Sequence, residues 1–177
     1  GERNTAIGRQ ALQVATADQN TAVGFNSLLN LSSGQYNTSV GSRALKDTTT
    51  ADYNTAIGTD ALMSNTTGVR NVAVGATALD ANTTASFNTA VGYGSMTTNT
   101  EGTNNTALGY NSLELTTTGS NNTAVGKDAL VANTTGERNV GVGGTSLDAN
   151  TTGQRNTGLG FAALGKNTTA SNNTAVG

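Results

Sequence analysis

The chain has 177 residues and sets nine Lys and Arg against eleven Asp and Glu, a net charge of −2. So even a balance offers no basic patch to nucleic acid, and the absence of Cys and His removes zinc sites and histidine-based nucleophilic triads. Aliphatic and aromatic residues reach only 34%, yet the lack of Pro and the low charge speak against a disordered linker and for hydrogen-bonded strand.

The first element, Asn4-Thr5-Ala6-Ile7-Gly8, is the start of a repeat. It returns at Asn20, Asn37, Asn54, Asn71, Asn88, Asn105, Asn122, Asn139, Asn156 and Asn173, first after 16 residues and then at every 17. The Asn and Gly columns never vary. The second column is Thr except at Val72 and Val140, the third is always Ala, Ser or Gly, and the fourth is always Ile, Val or Leu. A small residue followed by Leu comes next, as in Ala11-Leu12, Ala61-Leu62 and Ser112-Leu113, with Met96 once replacing Leu. A Thr-rich corner closes each unit, as in Asn65-Thr66-Thr67-Gly68 and Asn133-Thr134-Thr135-Gly136.

Fixed self-similarity of this kind marks a repeat architecture. Helix fits poorly, because every unit holds Gly, which costs about 1 kcal/mol relative to Ala inside a helix. Two short strands and two corners fit 17 residues. The sequence therefore predicts an all-β parallel solenoid, or β-roll, with 17-residue coils. It reads as one repeat array over residues 1–177, of about ten to eleven coils. Because it opens just before one motif and closes on the last residue of another, it also reads as a fragment of a longer fibre.

Period-two alternation puts Thr and Val of the motif on one face and the small residue on the other. Val72 and Val140 in the Thr column suggest that the Thr/Val face is dry, so it is expected inside. The small column is then expected outside, in close contact with a neighbouring chain. In the second strand Leu is expected to point inward and its small neighbour outward. The Asn column is expected to form an internal amide ladder, and Gly at the two corners to supply positive φ.

The motif resembles the Asn-Ser-Val-Ala-Ile-Gly repeat of trimeric autotransporter adhesin heads, most closely at Asn71-Val72-Ala73-Val74-Gly75 and Asn139-Val140-Gly141-Val142-Gly143. The full unit, Asn122 through Gly136, resembles repeats of bacteriophage tail-fibre proteins. The unit is longer than the adhesin repeat, and Thr usually replaces its first Val. The resemblance covers essentially the whole chain. It implies a left-handed roll, a homotrimer, and a fibre or adhesin shaft.

Chemistry is sparse. Asp80, Glu114 and Asp148 share one column in alternate coils, which separates them by about 9.6 Å, twice the strand spacing. That distance lies within the range of inverting glycosidase pairs, but the column reads as a solvated rim with its charges spaced to limit repulsion. No calcium-loop pattern occurs. No catalytic, cofactor-binding or metal residue is therefore assigned, and no enzyme activity is expected.

All seven aromatics fall in two columns. Tyr36, Tyr53 and Phe87 precede the motif Asn, while Phe25, Tyr93, Tyr110 and Phe161 follow the motif Gly. Planar groups stacking along a ladder account for them; a sugar-stacking surface is the alternative. Paired Thr residues at the corners, such as Thr66-Thr67, raise ice binding as a lesser idea.

The expected function is a structural shaft of a phage tail fibre or similar appendage, located on a virion or outside the cell, that presents a receptor-binding tip. The runner-up is a cell-surface adhesin or extracellular filament whose shaft itself binds host or matrix. A cell-surface glycan or protein is the receptor class. Neither nucleic acid nor membrane insertion is expected, since no run of 18 apolar residues exists.

Overall fold

The computed structural model describes residues 1–14 and 16–177. Each motif folds as a three-residue strand: β1 (Thr5–Ile7), β2 (Thr21–Val23), β3 (Thr38–Val40), β4 (Thr55–Ile57), β5 (Val72–Val74), β6 (Thr89–Val91), β7 (Thr106–Leu108), β8 (Thr123–Val125), β9 (Val140–Val142), β10 (Thr157–Leu159) and β11 (Thr174–Val176). They pair in sequence order into one parallel 11-stranded sheet. Register follows the columns, with Thr55 opposite Val72, Ala56 opposite Ala73 and Ile57 opposite Val74. The result is the expected β-solenoid, with no helix among the described residues. At the usual strand spacing the sheet runs about 50 Å along the rod.

The small-Leu element differs from expectation. It forms turns instead of a second strand, although its amides still reach the next coil, as Leu62 N–H does to the Ala78 carbonyl at 2.9 Å. Every Leu of this column, and Met96, sits at a φ between 48° and 54°. The residue two places earlier, for example Asp60 or Thr77, and the residue before each motif Asn, for example Tyr53 or Arg70, share this left-handed conformation. A bulky side chain there costs roughly 1–2 kcal/mol, so the geometry persists only because neighbouring coils enforce it. The return is burial: Leu28, Leu45, Leu62, Leu79, Met96, Leu113, Leu130 and Leu147 are all at 0% exposure. Their small neighbours, such as Ala44, Ala61 and Ser112, are buried too, contrary to the expectation that they point outward.

The motif strand is likewise turned the other way round from expectation. Its small column is the inner one: Ala22, Ser39, Ala56, Ala73, Ala90, Ala107 and Ala124 are at 0% exposure, and the core cluster joins these Ala residues to the Leu column. The Val column faces outward, with Ile57 at 41% and Leu108 at 48%. The physical reason is the thinness of the coil. A Cβ placed on Gly141 would already lie 3.3 Å from Leu130 Cγ, and one on Gly158 would lie 3.4 Å from Leu147 Cγ. With Leu filling the interior, only Ala, Ser or Gly fits beneath the strand. The small column is thus sized for a neighbour in its own chain, not for a second chain.

The motif Gly does take positive φ, between 123° and 144°. The second corner does not: Gly68 is small because its Cβ would come within 2.5 Å of Asn65 Oδ1.

Candidate functional site

The outward residues of the eleven strands make one continuous face. It consists of Thr or Val in one row and Val, Ile or Leu in the other, and no charged residue occurs among the strand positions. Strand alternation dictates this, since the buried Ala between them forces both flanking side chains out. A row of β-branched side chains suits such a pleated surface. The face is uncharged and half apolar: nine of the eleven first-row residues are Thr, while the second row exposes Ile57, Leu108, Val142 and Leu159, apolar side chains aligned along the rod rather than scattered singly.

A rim borders the face on each side. The first is the column before the motif Asn. Here Tyr36 stacks on Tyr53 with centroids 4.8 Å apart and planes 6° from parallel. The Arg70 guanidinium lies 5.5 Å from the Tyr53 ring and 5.5 Å from the Phe87 ring. Four consecutive coils thus form one stack of alternating planar groups. The second rim follows the motif Gly. Tyr93 and Tyr110 stack at 5.6 Å, Lys127 Nζ lies 5.9 Å from the Tyr110 ring, and Arg9 lies 5.8 Å from the Phe25 ring. The stacking expected from the sequence is therefore present. It also occupies the ring faces within each stack, so those rings offer a sugar mainly their edges.

Beneath the first rim lies the motif Asn ladder, buried as expected. Its rungs run from backbone to side chain: Asn88 N–H donates to Asn71 Oδ1 at 3.0 Å, and Asn105 N–H to Asn88 Oδ1 at 3.0 Å. The side-chain Nδ2 groups turn across the coil, Asn71 donating to the Ala85 carbonyl at 2.9 Å and Asn88 to the Gly102 carbonyl at 2.8 Å. Sequence reasoning missed a second ladder from the corner Asn residues. Asn82 Nδ2 donates to Asn65 Oδ1 at 2.8 Å and Asn99 Nδ2 to Asn82 Oδ1 at 3.1 Å, and the chain resumes at Asn133, Asn150 and Asn167. The recurrence of Asn at the head of six corners, Asn65, Asn82, Asn99, Asn133, Asn150 and Asn167, was its signal. Buried polar groups in a coil this thin call for partners, and the two ladders supply most of them; Asn99 Oδ1, where Thr116 interrupts the second ladder, is buried without one.

The carboxylate column holds no constellation. Asp80, Glu114 and Asp148 are each half-buried and separated by Thr97 and Val131. Burial pushes the Asp80 carboxyl above its ordinary range, with the Asp60 charge adding to the effect against backbone hydrogen bonds that lower it. Asp80 Oδ1 is enclosed and has no hydrogen-bond partner. Asp60 itself is paired with Arg43 at 2.6 Å. No group of three or more acidic side chains able to hold a metal ion occurs among the described residues.

At several corners the first Thr spends its hydroxyl internally. Thr66 Oγ1 donates to the Thr83 carbonyl at 3.0 Å, and Thr134 Oγ1 to the Thr151 carbonyl at 3.1 Å. The broad regular Thr array is on the outer sheet face instead.

No known family model, curated protein or solved structure matches this chain.

Proposed function

We propose that this chain is a stiff shaft segment, built from several parallel copies, that spaces and presents a receptor-binding tip. The observation that supports the reading is the uncharged outward sheet face, unbroken over eleven coils, in which a Val, Ile or Leu row runs beside a Thr row. Three copies, left-handed coiling and a place on a virion tail fibre or an extracellular appendage follow from the resemblance of the motif to tail-fibre and adhesin repeats. The receptor then belongs to a cell-surface glycan or protein bound at the tip, and the shaft itself performs no catalysis. The repeat's uniformity supports this, since no coil breaks pattern as a pocket would require. Mass by light scattering tests the reading: a trimer, or at least a defined oligomer, is the expected result, and a monodisperse monomer overturns it.

One second reading is favoured by the same face. Thr hydroxyls and methyls in a flat array, repeated at strand spacing, suit ordered water at an ice surface. This needs the face bare, so monomeric protein with thermal hysteresis would replace the shaft reading. An oligomer without hysteresis would end the ice idea.

A further inference from the structure

The corner Asn ladder comes in two runs. In its column Thr48 is followed by Asn65, Asn82 and Asn99, and then Thr116 by Asn133, Asn150 and Asn167. Each run is headed by a buried Thr whose hydroxyl donates forward, Thr48 to the Asn65 carbonyl at 3.0 Å and Thr116 to the Asn133 carbonyl at 3.1 Å. Within a run each Asn Oδ1 accepts from the Nδ2 of the next coil, as Asn65 does from Asn82 and Asn133 from Asn150. Thr116 has no amide side chain, and its one hydroxyl proton is already committed. Asn99 Oδ1 is therefore left buried without a donor.

The interval is not confined to this column. Thr48 and Thr116 lie 68 residues apart, or four coils, and so do Val72 and Val140, the two departures in the Thr column. Asp60 and Asp128 share the spacing, as do Phe25, Tyr93 and Phe161 on the second rim. Tyr110 and Glu114 fall outside it. A longer unit of four coils is thus written over the 17-residue one, and the ladder marks where one such unit joins the next. The joint is one-sided. On the strand side β6 and β7 pair without a break, and the motif ladder continues from Asn88 to Asn105 and Asn122.

We infer that the rod is built of four-coil blocks, and that the junction between the Asn99 and Thr116 coils is a hinge whose corner side opens before any coil interface within a block. A buried acceptor without a donor weakens the folded state at that one interface. Because each coil touches only its neighbours, the weakness stays local. Segments that open first in a native protein are those with the least local stabilisation. The strand side, with its sheet and its ladder intact, holds the two coils together and serves as the axis of the opening. A hinge of this kind lies within one chain, so it stands whether or not copies associate.

Native-state hydrogen exchange tests the hinge. At the Asn99 corner the Thr100, Glu101 and Gly102 amides donate to the Thr117 carbonyl. At the Asn133 corner, inside a block, Thr134, Thr135 and Gly136 donate to the Thr151 carbonyl in the same way. The first set is expected to show protection factors about tenfold lower than the second, the factor that goes with one buried hydrogen bond. End fraying predicts the reverse, since the Asn99 corner lies nearer the middle of the chain. Thr116→Asn supplies the missing Nδ2, so it is expected to remove the difference and raise the melting temperature. Asn82→Thr sets the residue of a joint inside a block. It is expected to lower protection at Thr66 and Thr67, whose amides donate to the Thr83 carbonyl. Equal protection at the Asn99 and Asn133 corners of the parent overturns the hinge. So does a Thr116→Asn chain whose Asn99 corner still exchanges faster, because the broken ladder would then not be the cause. Unchanged protection at Thr66 and Thr67 in Asn82→Thr overturns it as well, since a break in the ladder would not loosen a corner.

Discussion

Each coil has two aliphatic columns, and they live in opposite environments. Leu79 is at 0% exposure in the interior, while Leu108, from the Val column, is 48% exposed on the outer face. The difference does not come from hydrophobicity. It comes from what stands opposite: the Leu column points at Ala, Ser or Gly, and together they fill the coil. The Val column has no room to point inward, so its apolar area is left for another surface. The lesson is that in a thin coil the small residues mark the inside.

The contrast can be broken most strongly at Leu79. Leu79→Ala is expected to cost about 2–5 kcal/mol, as for other buried Leu truncations. Val74→Ala in dilute monomer is expected to cost well under half as much. Denaturant midpoints of the two variants check this, and equal losses would mean that the Val column is also core. Next comes the ladder that holds the inner side together. Asn71→Ala removes the acceptor of the Asn88 N–H and one donor to the Ala85 carbonyl. An orphaned buried amide costs about 1–3 kcal/mol, and hydrogen exchange should quicken first at Asn88.

A comparable or smaller effect is expected from Ala73→Val, which presses two methyl groups towards the Leu column. Overpacking of this kind costs typically about 1–3 kcal/mol. A methylene added on the outer face, as Val74→Ile, should be close to neutral for the fold, and thermal melts of the pair sharpen the inside–outside distinction.

The smallest effect concerns pH. Burial raises the Asp80 carboxyl above its ordinary value of 3.8. Just above that value the folded chain keeps a proton that the unfolded chain releases, so Asp80 weakens the fold as pH rises through the window. Asp80→Asn should therefore gain on the parent as pH climbs from below the ordinary carboxylate range to neutrality. A constant difference across that range would show that the Asp80 charge is better solvated than its surroundings indicate.

Much of this was legible in the residues. The invariant Asn and Gly columns fixed the period, the strand positions, the internal ladder and one positive-φ corner. The face of the strand was not legible from alternation, because Thr-Ala-Val is equally regular read from either side. Val72 and Val140 in the Thr column looked like signs of dryness, yet Val suits an outward pleated surface as well. A better signal was size tolerance. The Val column accepts Ile57, Leu108 and Leu159, which only open space allows, while the third column never exceeds Ala or Ser. The small-Leu turns were hidden for a different reason: Leu in the left-handed region contradicts local preference, and only stacking against adjacent coils imposes it.

The hydrogen bonds between coils all point along the rod, from Thr55 N–H to the Asn71 carbonyl and from Gly75 N–H to the Ile57 carbonyl, each at 2.9 Å or shorter. A pull on the two ends would therefore load successive coil-to-coil contacts in series, while within any one contact the bonds share the tension. Since each coil touches only its neighbours, a single such rod yields by peeling at its ends rather than by stretching, and its strength does not grow with its length. Lateral partners would change that, because every level would then be clamped from the side as well. In mechanical terms, bundling is what would turn a peelable ribbon into a strut.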